Sequence, residues 1–180
     1  MTAEVVEVVP YDAEWPALFK EEAVHLLDCL PEGLVTRIEH FGSTAVPGLA
    51  AKPIVDMLIE VTSLEAANER IVPILEAQGY DYFWRSALGE NEPPFYAWFI
   101  KRGPAGERTH HLHMVESDSE LWERLLFRDY LIDHPQVAHE YAELKAGLSA
   151  HHQSDRVAYT KAKGDFVRRF TEEAKARYGR

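Results

Sequence analysis

Three groups of side chains in this chain have the types and spacing to do chemistry. The first is Gly42-Ser43-Thr44 followed by Asp56. Gly42 permits close backbone approach to a ligand. Ser43 and Thr44 offer hydroxyls and backbone N–H groups at a predicted helix start, the makings of a phosphate cradle. Asp56 interrupts the apolar run Ile54-Val55-Asp56-Met57-Leu58-Ile59, where folding alone asks for no carboxylate; a carboxylate so placed suits a divalent cation. The plain alternative is a turn followed by a strand with one hydrogen-bonded Asp. Lys52, just ahead of Pro53, is either a solvated charge or a phosphate contact at the mouth of the turn.

The second group is His111 and His113. Alternate residues of a strand share a face, so these imidazoles, about 7 Å apart along it, can converge on one ion or phosphate. Nitrogen ligands favour Zn²⁺, Mn²⁺ or another transition metal over Mg²⁺. Alternatively one His is a general base, or both are merely surface or half-buried residues. His110 points to the opposite face. The third group is Arg128-Asp129 on a predicted helix, either a surface ion pair contributing about 0–1 kcal/mol or an Arg reaching a ligand phosphate. Tyr159 and Lys163, four residues apart, share a helix face and offer a further reach to such a ligand. His151-His152 falls in a predicted loop with no identifiable partner.

The elements that must position these groups follow from periodicity. An extended segment covers 5–9, and a turn over 12–16 opens a helix whose Leu18, Phe19, Ala23, Leu26, Leu27 and Leu30 recur at helical spacing up to Pro31-Glu32-Gly33. Strands are predicted over 35–41 and 53–61. In the second, Val55, Met57, Ile59 and Val61 share one face; Asp56, Leu58 and Glu60 share the other. Glu60 reaches a metal at Asp56 only if the strand end bends. Ser63 caps a helix running to Leu75 or Gln78, with Gly79 as its stop. A strand over 80–84, a surface loop over 86–94 and a hairpin over 95–101 and 109–115 follow. The aromatics Phe83, Trp84, Phe95, Tyr96, Trp98 and Phe99 are mostly core, though Tyr96 and Trp98 alternate with the others and can line a groove that stacks on a base. Helices over 119–133, 136–150 and 156–178 complete the chain, giving an α/β or α+β fold with a helical C-terminal half.

Gly42-Ser43 with Asp56 resembles the signature of the polymerase-beta-type nucleotidyltransferase fold, Gly-Ser after one strand and Asp-x-Asp or Asp-x-Glu in the next. In that fold the Ser and its neighbouring N–H groups hold a triphosphate, and carboxylates hold two Mg²⁺ ions. Leu58 stands here at the second carboxylate's position, so a single-metal site or a non-catalytic nucleotide site is the more economical reading. If the histidine strand lies beside the Asp56 strand, His113 takes the place of the third carboxylate.

Longer stretches resemble the GrpB family: Val9-Pro10-Tyr11-Asp12-Ala13-Glu14-Trp15-Pro16, the run from Ile38 to Gly48, Lys52-Pro53-Ile54-Val55-Asp56, His111-Leu112-His113-Met114-Val115, Leu126-Phe127-Arg128-Asp129-Tyr130-Leu131 and Tyr141-Ala142-Glu143-Leu144-Lys145. They occur in order over nearly the whole chain. The resemblance implies one domain over 1–180 with a nucleotidyltransferase-like mixed sheet flanked by helices. It brings no established activity. A relative of the domain is fused to dephospho-CoA kinase in some bacteria, a hint of a coenzyme A or folding-accessory context. On this reading Asp56 and His113 are the catalytic candidates, Gly42, Ser43, Thr44, Lys52 and Arg128 bind phosphate, and Asp56, Glu60, His111 and His113 hold a divalent metal, Mg²⁺, Mn²⁺ or Zn²⁺.

Composition bounds the partners. With 180 residues, 46% hydrophobic and 27% charged, the chain has enough material for one full core. A net charge of −11 argues against duplex nucleic acid yet leaves room for a nucleotide or another phosphate-bearing small molecule. No apolar run approaches the roughly 20 residues of a membrane span, the first residues lack signal-peptide character, and Cys29 stands alone; a cytoplasmic location is expected. No protein partner is identified. Three functions follow: metal-dependent nucleotidyl or phosphoryl transfer, non-catalytic nucleotide or coenzyme A binding, and a protein-interaction or folding-accessory role.

Overall fold

Alternating apolar and polar residues build a five-stranded mixed sheet in the order β1-β2-β5-β4-β3. Its strands are β1 (Val35–Phe41), β2 (Val55–Val61), β3 (Asp81–Ser86), β4 (Phe95–Arg102) and β5 (Arg108–Val115). The computed structural model describes residues 7–87, 92–151 and 155–179; the start of the predicted 5–9 segment, the middle of the 86–94 loop and His152 lie outside the described residues. The chain divides into two compact units, one of Glu14–Phe41 and Ile54–Trp122, the other of Met1–Ala13, Gly42–Pro53 and Glu123–Arg180.

In the sheet unit, β1/β2, β3/β4 and β4/β5 pair antiparallel, and β2/β5 pair parallel. The parallel register sets Asp56 opposite His111 and Leu58 opposite His113. One sheet face carries Met57, Ile59, Phe99, Leu112 and Met114, all 0% exposed, with Leu26, Ala67, Ile71 and Leu75 equally buried. Helices α1 (Trp15–Cys29) and α2 (Leu64–Arg70) lie against this face: the Phe19 ring stacks on His40 at 4.9 Å, and the Tyr82 hydroxyl donates to Asn68 at 2.9 Å. Pro16 falls in the first turn of α1, where its missing N–H costs nothing.

The helix expected from Ser63 to Leu75 or Gln78 is two, α2 and α3 (Val72–Ala77). Pro73 lacks the N–H that would continue α2, so a new helix starts around it. The Ser63 hydroxyl caps α2, accepting from the Ala66 N–H at 3.2 Å, and Gly79, at φ 88°, makes the left-handed turn that ends α3's segment.

The second unit is helical. A 3₁₀ turn over Ser43–Ala45 follows Gly42, which sits at φ 74°. Helices α4 (Arg124–Asp133), α5 (Pro135–His151), α6 (Arg156–Ala162) and α7 (Gly164–Tyr178) follow. The helix expected over 156–178 is therefore split, at Lys163 and the helix-weakening Gly164. Leu126, Phe127, Tyr130, Leu131, Tyr141 and Phe170 form its apolar core, with Val46 and Leu49 from the segment after the 3₁₀ turn.

Candidate functional site

Asp56 sits on β2 with its side chain on the sheet face opposite the α1-covered one, because its neighbours Val55 and Met57 take the other side. His111 and His113 rise from β5 on the same face, since the β2/β5 register brings Asp56 and Leu58 beside them. The Asp56 Oδ1 lies 3.1 Å from His111 Nδ1 and 3.8 Å from His113 Nε2. One ligand atom from each of the three falls within 4.8 Å of the others, the one such group of His, Cys, Asp or Glu found among the described residues.

Burial alone would raise the Asp56 carboxyl, but hydrogen bonds to His111 and His113, and their positive charge, hold it well below the usual carboxylate range. The carboxylate is thus ionised at neutral pH, as a metal ligand must be. The histidines are held by aromatic rings. Phe41 meets His113 edge-on at 5.2 Å, Tyr96 stacks on it at 5.5 Å, and Trp98 meets His111 edge-on at 5.1 Å. The side chains of His111 and His113 are 12% and 8% exposed against 29% for Asp56, so solvent reaches the group from the carboxylate's side. Trp98 Nε1 and His111 Nε2 are buried without a hydrogen-bond partner among the described residues.

Glu60, four residues along the strand, is about 13 Å from Asp56. Its Oε1 accepts from the Thr36 hydroxyl at 2.6 Å, and it is outside the group of three. Leu58, between the two, is 0% exposed.

The remaining expected residues belong to the helical unit. The Ser43 Oγ accepts a 2.9 Å hydrogen bond from Lys145 Nζ, and Lys145 also donates to the Ala50 carbonyl. Thr44 is 1% exposed. Lys52 lies over the Tyr159 ring at 5.3 Å. Arg128 pairs with its neighbour Asp129, Nε and Nη2 each 2.7 Å from Oδ1.

Two buried charges were missed in the sequence. Lys145 is 1% exposed, and its signal was an apolar helical stripe, Val137-Tyr141-Lys145, closed by a Lys. Glu22, 3% exposed on α1, forms an ion pair with Lys101 and accepts from the Tyr80 hydroxyl. Burial, then the Glu22 carboxylate, pushes the Tyr80 hydroxyl well above its ordinary pKa.

With this geometry established, relatives place the chain. The profile described as "GrpB protein" matches residues 5–173. The chain belongs to the GrpB family. It is 42% identical over 172 residues to the UPF0157 protein YqkA of Bacillus subtilis, covering 94% of this chain and 47% of that one, so it spans about half of that relative's length. The crystal structure of the conserved protein GrpB from Enterococcus faecalis superposes with a TM-score of 0.83 at 34% identity, covering 97% of this chain and all of that one. A Mycolicibacterium paratuberculosis protein named dephospho-CoA kinase is 29% identical over 182 residues, 91% of this chain and 44% of the kinase. The GrpB resemblance read from the motifs and the mixed α/β fold therefore both hold. No described helix of this GrpB-family chain is long and apolar enough to cross a membrane.

Proposed function

We propose that this GrpB-family chain is a divalent-metal-dependent nucleotidyl- or phosphoryl-transfer protein whose metal is held by Asp56, His111 and His113. The convergence of one carboxylate oxygen and two imidazole nitrogens within 4.8 Å carries the reading. A mixed nitrogen and oxygen donor set suits Zn²⁺, Mn²⁺ or another transition metal better than Mg²⁺. Such an ion, when bound, polarises a phosphoryl oxygen and lowers the pKa of a bound water. The chain's own part is to keep Asp56 ionised, to fix the imidazoles between Phe41, Tyr96 and Trp98, and to shield the histidine side from water. Gly42 and Ser43, in the turn that resembles a triphosphate cradle, support a phosphate-bearing ligand, and the relative named as a dephospho-CoA kinase makes coenzyme A precursors worth including among them.

The test is calorimetric titration of metal-stripped protein with Zn²⁺ and Mn²⁺. One equivalent is expected to bind, with affinity about 100-fold weaker in Asp56→Asn and in His111→Ala, both checked for native circular dichroism. Metal-loaded protein is then assayed for product from nucleoside triphosphates and dephospho-coenzyme A. Failure of the wild type to bind either ion sinks the proposal. A second reading, nucleotide or coenzyme A binding without turnover, draws on the fully buried Leu58 where the resembled fold has its second carboxylate. It predicts saturable ligand binding and no product over long incubation.

A further inference from the structure

The two edges of the sheet differ in how they are guarded against a further strand. An edge strand presents its outward N–H and C=O groups, and natural edges are blunted by irregular register and by charge. β1 follows that pattern: its register with β2 shifts between Val35 and Arg37, and the exposed Arg37 pairs with Glu39 along the strand. β3, the strand at the other end of the sheet, is built differently. It keeps unbroken register with β4 from Asp81 to Ser86, and it carries Phe83 and Trp84, 44% and 46% exposed, on opposite faces of the sheet. Both rings are already ordered. Phe83 meets Trp98 at 5.4 Å, Trp84 stacks on Phe95 at 6.0 Å, and beside them Tyr82 meets Phe99 at 5.2 Å. Covering them therefore costs little side-chain entropy. The strand is also a charge palindrome. In Asp81-Tyr82-Phe83-Trp84-Arg85 an acid stands two residues before Phe83 and a base two residues after it, all three on one face.

We propose that β3 of one copy of this chain pairs antiparallel with β3 of a second copy about a two-fold axis through Phe83, joining two five-stranded sheets into one. In that register Asp81 faces the second copy's Arg85 and the reverse, the two Phe83 rings meet, and Tyr82 lies against Trp84 on the other face. An axis perpendicular to the sheet keeps every residue on its own face, so the pairing shifts only in steps of two. Moving the axis to Trp84 sets Phe83 against Arg85 and Asp81 against Ala87; moving it to Tyr82 sets Asp81 against Phe83. Only the axis at Phe83 matches both charges. Opposite charges and aromatic pairs directly across from each other are favourable, and ladder hydrogen bonds add to them. The Asp81 carboxylate already accepts from Arg102 Nε at 2.8 Å, and with about four lone-pair sites it can take a second guanidinium. Arg85 lies 4.6 Å from the Trp98 ring centre, which holds it on the face it shares with Asp81. A contact of this symmetry is satisfied by two copies and goes no further.

The experiment is sedimentation velocity of the full chain over a range of micromolar concentrations, in EDTA and about 0.15 M salt. The wild type is expected to be a reversible dimer. Asp81→Lys and Arg85→Glu, each checked for native circular dichroism, set like charges opposite each other twice per dimer, and each should raise the dissociation constant about tenfold. Mixed in equal amounts they should recover dimerisation, because the introduced Lys then faces the introduced Glu and the native Arg85 faces the native Asp81. Damage to the fold cannot produce that recovery. Should a charge variant fold poorly, Phe83→Cys in a Cys29→Ser background replaces it. Oxidation should link two copies at the axis, where the facing Cα atoms lie about 5 Å apart; Trp84→Cys in the same background, about 8 Å from its own counterpart, should not link. A wild type that stays monomeric overturns the pairing, and so does a dimer indifferent to both charge variants, a mixture that stays monomeric, or linking through Trp84→Cys but not Phe83→Cys. Because EDTA removes every divalent ion, the outcome is independent of Asp56, His111 and His113.

Discussion

Replacing Lys145 with Met is expected to stabilise the protein at pH 6 and to lose that advantage as the pH rises. Burial, with the Lys163 and Lys52 charges alongside, lowers the Lys145 ammonium from 10.5 to about 7. Below pH 7 this Lys is charged in both folded and unfolded chains, so the whole cost of holding its charge inside is present. Between pH 7 and 10.5 the folded protein has released the proton while the unfolded chain keeps it, and stability rises with pH; above 10.5 the cost is gone. At about 1.36 kcal/mol per unit, the span corresponds to about 5 kcal/mol. Met fills similar space but cannot donate to Ser43 Oγ and the Ala50 carbonyl, a loss of about 2 kcal/mol. The variant should therefore be about 3 kcal/mol more stable at pH 6, equal near pH 9 and about 1 kcal/mol less stable at pH 10. Urea unfolding of both proteins at each pH from 6 to 10, in phosphate-free buffer, measures the difference, in which groups titrating equally in both proteins cancel. A difference that stays constant across that range would refute the reasoning, because Lys145 would then titrate alike in folded and unfolded chains.

Other outcomes follow from the sheet unit. Lys101→Met leaves the enclosed Glu22 carboxylate without its cation and should cost about 2–4 kcal/mol by urea denaturation, most of it recovered in the Glu22→Leu, Lys101→Met double variant. Ser63→Ala removes the acceptor for the Ala66 N–H and should cost about 1 kcal/mol, read from the same unfolding curves. Free Zn²⁺ at a hundred times the wild-type dissociation constant should add about 2.7 kcal/mol of stability to the wild type and almost nothing to Asp56→Asn, measured by thermal unfolding.

Much of the fold was legible because period and punctuation are local. Val55, Met57, Ile59 and Val61 alternate against Asp56, Leu58 and Glu60, and that alternation fixes which face of β2 each side chain takes. Helix ends were harder. Pro73 and Gly164 each break a periodic pattern that otherwise runs on, since the apolar repeat continues across the break while the backbone hydrogen bonds do not. Glu22 and Lys145 escaped notice because a charged residue inside an apolar stripe looks like an exposed one until its neighbours enclose it.

The sequence by itself determined that Asp56 lies in an apolar strand, that His111 and His113 share a face, and that a glycine-led Ser-Thr turn precedes them, because each depends only on residue type and the two-residue pleat. Only the tertiary structure decided that Asp56 meets the two histidines. β5 reaches β2 after α2, α3, β3 and β4 have intervened, and it joins β2 in parallel, so the partner of Asp56 is 55 residues away in the chain. No local pattern encodes that pairing. The same holds for Lys145, which finds the Ser43 hydroxyl 102 residues upstream because helix packing, not sequence neighbourhood, brings the ammonium there.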